Sequence, residues 1–370
     1  MLQKVIIVGA GAIGRGYLPW IFPADHYDLV FVDSSPAIVA ALRRGEYLTY
    51  RIRDGKMESL SVKVAGAFLS SDFRVEEHAD ALAVFMCVGP RNVEKAAAIL
   101  AGSDLPCVLC ENEPNTVAIV KSVLGHGRVY FAVPDVITSN TAPADLVSLD
   151  PMSVLTEDGE LFVDEALGIN LGSDIKMISE RELIEHQWTA KLYLHNTQHC
   201  IAAYLGAYLG KTYLHEVMAI PRINEIVQGA MDEMLEALIR SDRVPAPFLS
   251  WYADKEMARF RNQLFDPVAR VAREPLRKLE THGRLIGAAQ KCMACAVLPN
   301  NLLIGIAAAM LFEDRNDPDH YLGMLRRALP SELFNLYILG LRSGEPLDLM
   351  LRDRIDGIIE SLEALSKTNP

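Results

Sequence analysis

The chain has 370 residues, more than one ordinary hydrophobic core supports, so we expect two domains. Half of the residues are hydrophobic and 23% are charged, a balance typical of globular proteins that argues against disorder. The net charge of −12 argues against a broad basic face for nucleic acid, although it leaves room for a local basic pocket that binds a small anion.

We expect the protein to work in the cytosol, away from membranes. The first apolar run, Val5 to Val8, is as long as a strand and leads directly into glycines, unlike a secretory signal peptide. No uninterrupted apolar stretch in the sequence is long enough to span a bilayer. The helical patterns show no unmistakable heptad seam, so we expect a monomer.

The six cysteines are typical of a protein kept in a reducing compartment. Two C-x-x-C spacings, Cys107/Cys110 and Cys292/Cys295, raise the question of a structural zinc site. Cys107 and Cys110 lie in an apolar run that predicts a strand, and their odd separation places the thiols on opposite faces of it. We therefore interpret them as ordinary buried cysteines and expect no metal.

A β–α–β unit opens the chain. Residues 2–8 form an apolar, β-rich run, and glycines and an amphipathic stretch follow up to about Phe22. Residues 29–32 predict a second strand that ends at Asp33, and residues 36–43 predict a helix after a serine N-cap.

Strands and helices continue to alternate as far as about residue 180. Residues 46–66 alternate apolar and polar side chains around Asp54-Gly55, which predicts a small antiparallel insertion. Further strands are predicted at 81–88, 105–110 and 128–133, with helices at 92–101 and 116–124 between them. This alternation predicts an α/β fold with a parallel, doubly wound sheet of the Rossmann type, followed by more strands and turns over 151–180.

From about residue 180 onward, helical patterns dominate, punctuated by proline and glycine. The predicted helices are 180–209, 213–240, 248–264, 283–297, 301–313, 319–328, 331–342 and 345–366. We place the domain boundary so that residues 1–185 form the nucleotide-binding domain and residues 186–370 a mostly α-helical substrate and catalytic domain.

The clearest motif is Gly9-Ala10-Gly11-Ala12-Ile13-Gly14, a G-x-G-x-x-G that follows a strand and opens a helix. Gly9 permits the tight turn, Gly11 lets the backbone approach a pyrophosphate, and Gly14 lets helix and strand pack closely. The helix N-terminus, which includes Ala12 and Ile13, offers N–H groups and a partial positive charge to phosphates. FAD, and a turn that binds no ligand, remain open alternatives.

Asp33 indicates which dinucleotide binds. Its carboxylate, at the end of the second strand, can accept hydrogen bonds from the adenine ribose and would repel a 2′-phosphate. The next residues, Ser34 and Ser35, supply no arginine for such a phosphate. We therefore predict NAD rather than NADP.

The polar cluster of the helical region is Lys191, Asn196 and His199. A dehydrogenase needs a base for the hydroxyl proton and hydrogen-bond donors for the oxygen on which charge develops. Asn196 and His199 are three residues apart, and Lys191 and His199 are about 80° apart around an α-helix, so one helix can present all three. From periodicity alone, a solvated lysine and a metal pair of His195 with His199 remain open.

At these residues the chain resembles the polyol-specific long-chain dehydrogenase family, the mannitol dehydrogenases. Lys191, Asn196 and His199 match the family motif K-x-x-x-x-N-x-x-H. The supporting segments, several closest to the mannitol-1-phosphate 5-dehydrogenase branch, are Gly9–Gly16, Val88-Gly89-Pro90, Cys110-Glu111-Asn112, Pro134–Ile137, Arg259–Asn262, Val271–Leu279 and Arg284-Leu285.

The resemblance implies metal-independent hydride transfer between NAD and a polyol. Lys191 would be the general base, and Asn196 and Asn112 would donate to the reacting oxygen. His199 and Asp135 would orient substrate hydroxyls. The family turn that here is Val88 and Gly89 would contact the cofactor.

A local basic excess over residues 270–291 predicts a clamp for a phosphate or carboxylate, with Arg273, Arg277 and Lys278 as its candidates. A solvated, salt-bridged helix face is the competing interpretation. With the clamp, the expected substrates are a polyol phosphate and a ketose phosphate, mannitol 1-phosphate and fructose 6-phosphate being the leading pair. A dehydrogenase of free polyols or sugar acids, a zinc-dependent dehydrogenase and a non-catalytic NAD-binding regulatory module are the alternatives.

Overall fold

The computed structural model describes residues 2–172 and 174–368. The chain divides into two units, Met1–Trp188, here called unit 1, and Thr189–Pro370, here called unit 2. Among the helices of the described residues, none combines the length and the apolar character that a membrane crossing needs.

Unit 1 is built on an eight-stranded sheet with a three-stranded sheet beside it. Its strands are β1 (Gln3–Val8), β2 (Tyr27–Asp33), β3 (Glu46–Arg53), β4 (Lys56–Lys63), β5 (Gly66–Leu69), β6 (Ala83–Met86), β7 (Cys107–Leu109), β8 (Val129–Asp135), β9 (Leu155–Glu157), β10 (Glu160–Asp164) and β11 (Ile175–Ile178). Its α-helices are α1 (Leu18–Ile21), α2 (Pro36–Leu42), α3 (Val93–Ala98), α4 (Thr116–Leu124) and α5 (Ala144–Leu149).

The order of the large sheet is β11-β10-β8-β7-β6-β1-β2-β5. Across the sheet, every neighbouring pair from β5 through β2, β1, β6 and β7 to β8 is parallel. β10 pairs with β8 in the antiparallel sense. β1 is buried on both faces, with Val5 and Ile7 in one core layer and Ile6 and Val8 in the other. A continuous apolar run is therefore what this central strand needs.

The Asp54-Gly55 turn joins β3 and β4 into an antiparallel hairpin. Asp54 has φ +51° and Gly55 φ +71°, the two positive φ angles of a type I′ turn, whose twist matches that of the paired strands. β9 adds to this hairpin in parallel with β3.

Unit 2 is helical. Its elements are a π-helical turn (Lys191–Asn196), α6 (Thr197–Tyr208), α7 (Leu214–Met218), α8 (Pro221–Arg240), α9 (Ala246–Arg261), α10 (Val268–Ala272), α11 (Pro275–Leu279), α12 (Ile286–Ala294), α13 (Asn300–Met310), α14 (Leu322–Ala328), α15 (Ser331–Tyr337) and α16 (Pro346–Thr368). The predicted fold class, a Rossmann-type sheet followed by helices, is confirmed.

Two helices predicted as continuous are interrupted. The stretch 213–240 breaks at Ile220, which is extended (ψ 113°) because Pro221 disfavours a helical residue before it; Pro221 then begins α8. The stretch 180–209 contains π-helical segments at Glu182–Trp188 and Lys191–Asn196 before α6. Hydrophobic periodicity does not distinguish these i→i+5 turns from α-helix.

Candidate active site

The glycine loop joins β1 to a π-helical turn, Ala12–Tyr17. Gly9 has φ +95°, and a Cβ at this position would lie 2.5 Å from the Cys87 carbonyl oxygen. A Cβ on Gly14 would lie 2.0 Å from the Gly9 carbonyl oxygen, whereas one on Gly11 would meet nothing within 4 Å. Gly9 and Gly14 are therefore required by the backbone itself, and Gly11 borders open space.

That open space is a cleft of about 580 Å³ lined by the loop and by the carboxyl ends of β1, β2 and β6. β1 pairs with β2 on one side and with β6 on the other, so the order of the strands along the chain reverses at β1. This is the switch point of the doubly wound sheet. Open α/β sheets bind their ligands at such a point, and the volume suits a small organic ligand.

Asp33 ends β2 at the edge of this cleft. Its Oδ2 accepts the Ala10 N–H and its Oδ1 accepts the Ser35 N–H, each at 2.8 Å. These bonds fix the orientation of the carboxylate, while each oxygen keeps a further lone pair for a ligand hydroxyl. Asp33 therefore keeps acceptor capacity at the cleft, and its role in binding a ribose stays a prediction.

Arg15, which the sequence reasoning left without a role, anchors the phosphate loop. Its buried guanidinium donates to the carbonyl oxygens of Ala10, Met152 and Asn140, at 2.6, 3.1 and 3.1 Å. All three acceptors are backbone, so Arg15 ties the loop to a distant segment of unit 1 and is not positioned as a ligand contact.

The Val88–Gly89 turn is held by Glu111, another residue that received no role from the sequence. Glu111 Oε1 accepts the Val88 N–H at 2.8 Å and the Gly89 N–H at 3.0 Å. Burial raises the pKa of Glu111 to about 7, although these two donors oppose the shift. The turn beside the cleft therefore depends on a carboxyl group that changes charge near neutral pH.

We expect Glu111→Gln to be more stable than the wild type at pH 8, with the difference shrinking towards pH 4.5. The carboxyl pKa is about 7 in the fold and about 4.3 in the unfolded chain, so the wild type loses stability as pH rises between these values. The full difference is about 4 kcal/mol. Urea unfolding of the wild type and the variant at both pH values measures this difference in stability, with Glu94→Gln at an exposed position as the control. A stability difference that does not change with pH would contradict the raised pKa of Glu111.

Asn112 and Asp135 lie at the same edge of the sheet as the cleft. Asn112 comes shortly after β7 and is exposed, and its carbonyl oxygen accepts the Trp188 indole N–H at 3.2 Å. Asp135 ends β8 and is buried, and its charge contributes to the raised pKa of the Tyr17 phenol, which burial mainly causes. Unit 1 thus brings both predicted residues to the ligand-binding edge.

In unit 2, the π-helical turn Lys191–Asn196 changes how the predicted cluster is presented. Residues five apart on an α-helix are separated by about 140° around the axis, whereas i→i+5 hydrogen bonding brings them nearly one above the other. Lys191 and Asn196 are therefore closer to one face than α-helical geometry allows. Lys191, Asn196 and His199 are all more than 90% buried.

His199 is fixed by a carboxylate. Its Nε2 lies 2.9 Å from Asp266 Oδ2, and Arg270 donates to Asp266 Oδ1 at 2.7 Å. Burial lowers the pKa of His199, although the Asp266 hydrogen bond opposes this. Burial would raise the pKa of Asp266, but Arg270 and His199 together hold it below its ordinary value.

His195 has a carboxylate partner of its own. Its Nδ1 lies 2.5 Å from Glu256 Oε2, and Arg259 donates to Glu256 Oε1. The rings of His195 and His199 are 5.0 Å apart, with Phe260 packed against both. The two histidines considered as a metal pair therefore each pair with a separate carboxylate.

The predicted clamp residues have different environments. The buried Lys278 ammonium donates to the carbonyl oxygens of Val271 and, at 2.6 Å, Arg273, and burial lowers its pKa to about 7. Arg277 Nε donates to Glu274 Oε2 at 3.2 Å, and the Arg273 side chain is exposed. Lys278 thus supports the backbone between α10 and α11, and its contacts do not resemble those of a ligand clamp.

Arg284 is the cation that the clamp prediction did not include. Its guanidinium lies 3.9 Å from Cys200 Sγ, and its carbonyl oxygen accepts the Thr197 hydroxyl at 2.7 Å. Within the described residues it has no carboxylate partner, and its charge contributes to lowering the pKa values of His199 and Lys278. Two sequence signals pointed to it, the basic excess over residues 270–291 and the short Arg284-Leu285 match.

Comparison with known proteins gives the family. Residues 184–321 match the mannitol dehydrogenase C-terminal domain. A mannitol-1-phosphate 5-dehydrogenase of an Exiguobacterium species is 31% identical, covering 86% of this chain and 87% of that protein. The chain belongs to the mannitol dehydrogenase family. The resemblance noted above is thereby confirmed, and with it the classification of the chain as an oxidoreductase.

Other members of the mannitol dehydrogenase family agree. A mannitol-1-phosphate 5-dehydrogenase of Caldanaerobacter subterraneus is 29% identical, covering 85% of this chain and 88% of that protein. Pseudomonas fluorescens mannitol 2-dehydrogenase, solved with NAD and D-mannitol, superposes with a TM-score of 0.76 at 17% identity, covering 99% and 95% of the two chains. A D-sorbitol dehydrogenase superposes with a TM-score of 0.66 at 13% identity, covering 97% and 94%. At such identities the structures share the fold.

Proposed function

We propose that this chain is an NAD-dependent, metal-independent oxidoreductase that interconverts a polyol phosphate and a ketose phosphate, with mannitol 1-phosphate and fructose 6-phosphate as the leading pair. The observation that carries the proposal is the buried Lys191, Asn196 and His199 set in a chain similar to proteins named mannitol-1-phosphate 5-dehydrogenase. In this proposal residues 1–185 bind NAD, and residues 186–370 provide the substrate and catalytic domain.

The residues of the cleft fit NAD. The open space over Gly11 and the N–H groups around Ala12 and Ile13 suit a pyrophosphate, and Asp33 suits a ribose that lacks a 2′-phosphate. Val88 and Gly89 lie on the same cleft. When bound, NAD supplies the acceptor for the hydride that leaves the carbinol carbon.

Lys191 is the proposed base of unit 2. A buried amine loses its proton more readily than a solvated one, and a base needs a pKa near the working pH. Lys191 takes the hydroxyl proton, and the Asn196 amide donates to the oxygen. His199, held by Asp266, orients a substrate hydroxyl. In unit 1, we propose that Asn112 donates to the reacting oxygen and that Asp135 orients a substrate hydroxyl.

The phosphate proposal depends on the basic residues around α6. Arg284 has no carboxylate partner within the described residues, and Arg277 has one at 3.2 Å. Arginine binds phosphate through paired N–H donors, which makes these two the preferred anchors. Arg273 is the more peripheral candidate, and Lys278 supports the backbone between α10 and α11 through its bonds to carbonyl oxygens.

A panel of substrates read by NADH absorbance tests the proposal. We expect fructose 6-phosphate to be reduced and mannitol 1-phosphate to be oxidised, with activity retained after prolonged chelation. Turnover of fructose without turnover of fructose 6-phosphate would favour a free polyol or sugar acid. No turnover on any panel member, despite NADH binding, would indicate a regulatory module.

Arg284→Gln and Arg277→Gln are expected to raise the KM for fructose 6-phosphate by roughly 10- to 100-fold, because a lost charged hydrogen bond costs about 1.5–3 kcal/mol. The KM for an unphosphorylated ketose should change much less. Steady-state kinetics on both substrates measures this, with Arg222→Gln, in an exposed ion pair with Glu225, as control. Equal changes for both substrates would count against a phosphate site.

We also propose that the protein acts in the cytosol as a monomer that binds neither nucleic acid nor membranes. Size-exclusion chromatography with light scattering tests the oligomeric state, since a dimer would have twice the 40.9 kDa mass of the chain.

A further inference from the structure

His195 lies on the helix segment that carries the proposed base, yet neither the family motif nor the proposed mechanism uses it. His195 is four residues after Lys191 and four before His199. Residues four apart on an α-helix are neighbours, and in the π-helical turn that carries Lys191 and His195 residues four apart still lie within one turn of each other. The ring centroids of His195 and His199 lie 5.0 Å apart at an interplanar angle of 55°, so these two side chains are neighbours.

The surroundings of His195 resemble those of a proton-carrying histidine. Its Nδ1 lies 2.5 Å from Glu256 Oε2, and both side chains are at least 95% buried. Arg259 donates to the second oxygen of Glu256, so both oxygens of this buried carboxyl group have a hydrogen-bond partner. A carboxylate on one ring nitrogen orients an imidazole and stabilises the imidazolium that forms when the other nitrogen takes a proton.

The charged side chains around His195 limit how many protons the cluster can hold at one time. On its own helix it has Lys191 on one side and His199 on the other, and α9 contributes Glu256 and Arg259. His199 belongs to a separate pair with Asp266 and Arg270. Two cations side by side in a buried site repel each other, so a proton placed on one of the two groups disfavours a second proton on the other.

We propose that His195, backed by Glu256 and Arg259, exchanges the substrate proton with Lys191, which makes His195 a positioning residue that acts through the base. The inference rests on the proposed function of Lys191. In oxidation, the hydroxyl proton passes to the Lys191 amine and from this ammonium to the imidazole of His195. The amine is regenerated, and the imidazolium releases the proton to water. Reduction runs the same path in reverse.

His195→Leu tests the relay in the full-length enzyme. We expect kcat to fall roughly 10- to 100-fold, with the KM and the NADH dissociation constant little changed. Activity should then rise with the concentration of imidazole buffer, which can take the proton in place of the side chain. A folded variant with wild-type kcat and no response to imidazole would overturn the proposal.

Glu256→Gln keeps the shape of the pair and removes its charge, which provides a test if His195→Leu does not fold. We expect the alkaline rise of kcat for oxidation to move to lower pH by about one unit, because the coupled cations lose a stabilising anion. An unshifted profile would overturn the proposal. Glu225→Gln, in an exposed ion pair, is the matched control. If the wild-type enzyme turns over no polyol phosphate, the proposed function fails independently of this result.

Discussion

Lys191→Ala is expected to lower kcat by about 10²- to 10⁴-fold, the range that a general base contributes, while NADH still binds. The amine is the proposed acceptor of the hydroxyl proton. The dissociation constant for NADH should change little, because the glycine loop and Asp33 belong to unit 1 and Lys191 to unit 2. Stopped-flow turnover and NADH fluorescence titration measure the two quantities.

Lys191→Met separates chemistry from packing. Lys191 is only 8% exposed, so truncation to alanine also removes a buried aliphatic stem, which methionine largely replaces. Both variants should lose kcat alike, whereas only the alanine variant should lose much stability. Lys367→Ala, at an exposed position of α16, is the control. If Lys191→Met kept kcat within tenfold of the wild type, the amine would not be the base.

The second large effect concerns the glycine loop. We expect Gly14→Ala to reduce both stability and NADH binding, and Gly11→Ala to reduce NADH binding alone. Gly14→Ala places a Cβ 2.0 Å from the Gly9 carbonyl oxygen, so the backbone must move. We expect a loss of at least about 1–3 kcal/mol in the free energy of unfolding, together with loss of NADH binding. Chemical denaturation without ligand measures the first effect.

Gly11→Ala should leave the fold intact and impair only the ligand. Gly11 has an extended backbone with a negative φ (φ −78°, ψ −156°), and its Cβ would meet nothing within 4 Å. We expect wild-type stability and an NADH dissociation constant raised roughly 10- to 100-fold, because the methyl group takes space that a pyrophosphate needs. Unchanged NADH affinity would show that the pyrophosphate does not lie over Gly11.

Much of unit 1 could be predicted because its signals are local. The apolar run of β1, the glycine spacing and Asp33 all fall within one β–α–β unit, and the Asp54-Gly55 dipeptide specifies its own turn. Each depends on neighbours in sequence, since backbone sterics and strand alternation act over a few residues. The family motif likewise identified Lys191, Asn196 and His199 without reference to a fold.

Contacts between distant segments could not be predicted. Glu111 reaches back to Val88, and His195 meets Glu256 61 residues away, with nothing in either local pattern to connect them. Lys278 was predicted as a clamp residue, whereas its ammonium is buried and donates to backbone carbonyls.

The sequence by itself determined the parallel sheet, the glycine loop, the acidic residue at the end of β2 and the helix segment that carries the proposed base. Only the tertiary structure decided which charges are paired, which are buried and how the π-helical turn presents Lys191 and Asn196. The reason is that strand and turn formation follow from short-range sterics. Burial and charge pairing depend on which distant segments come to surround each side chain.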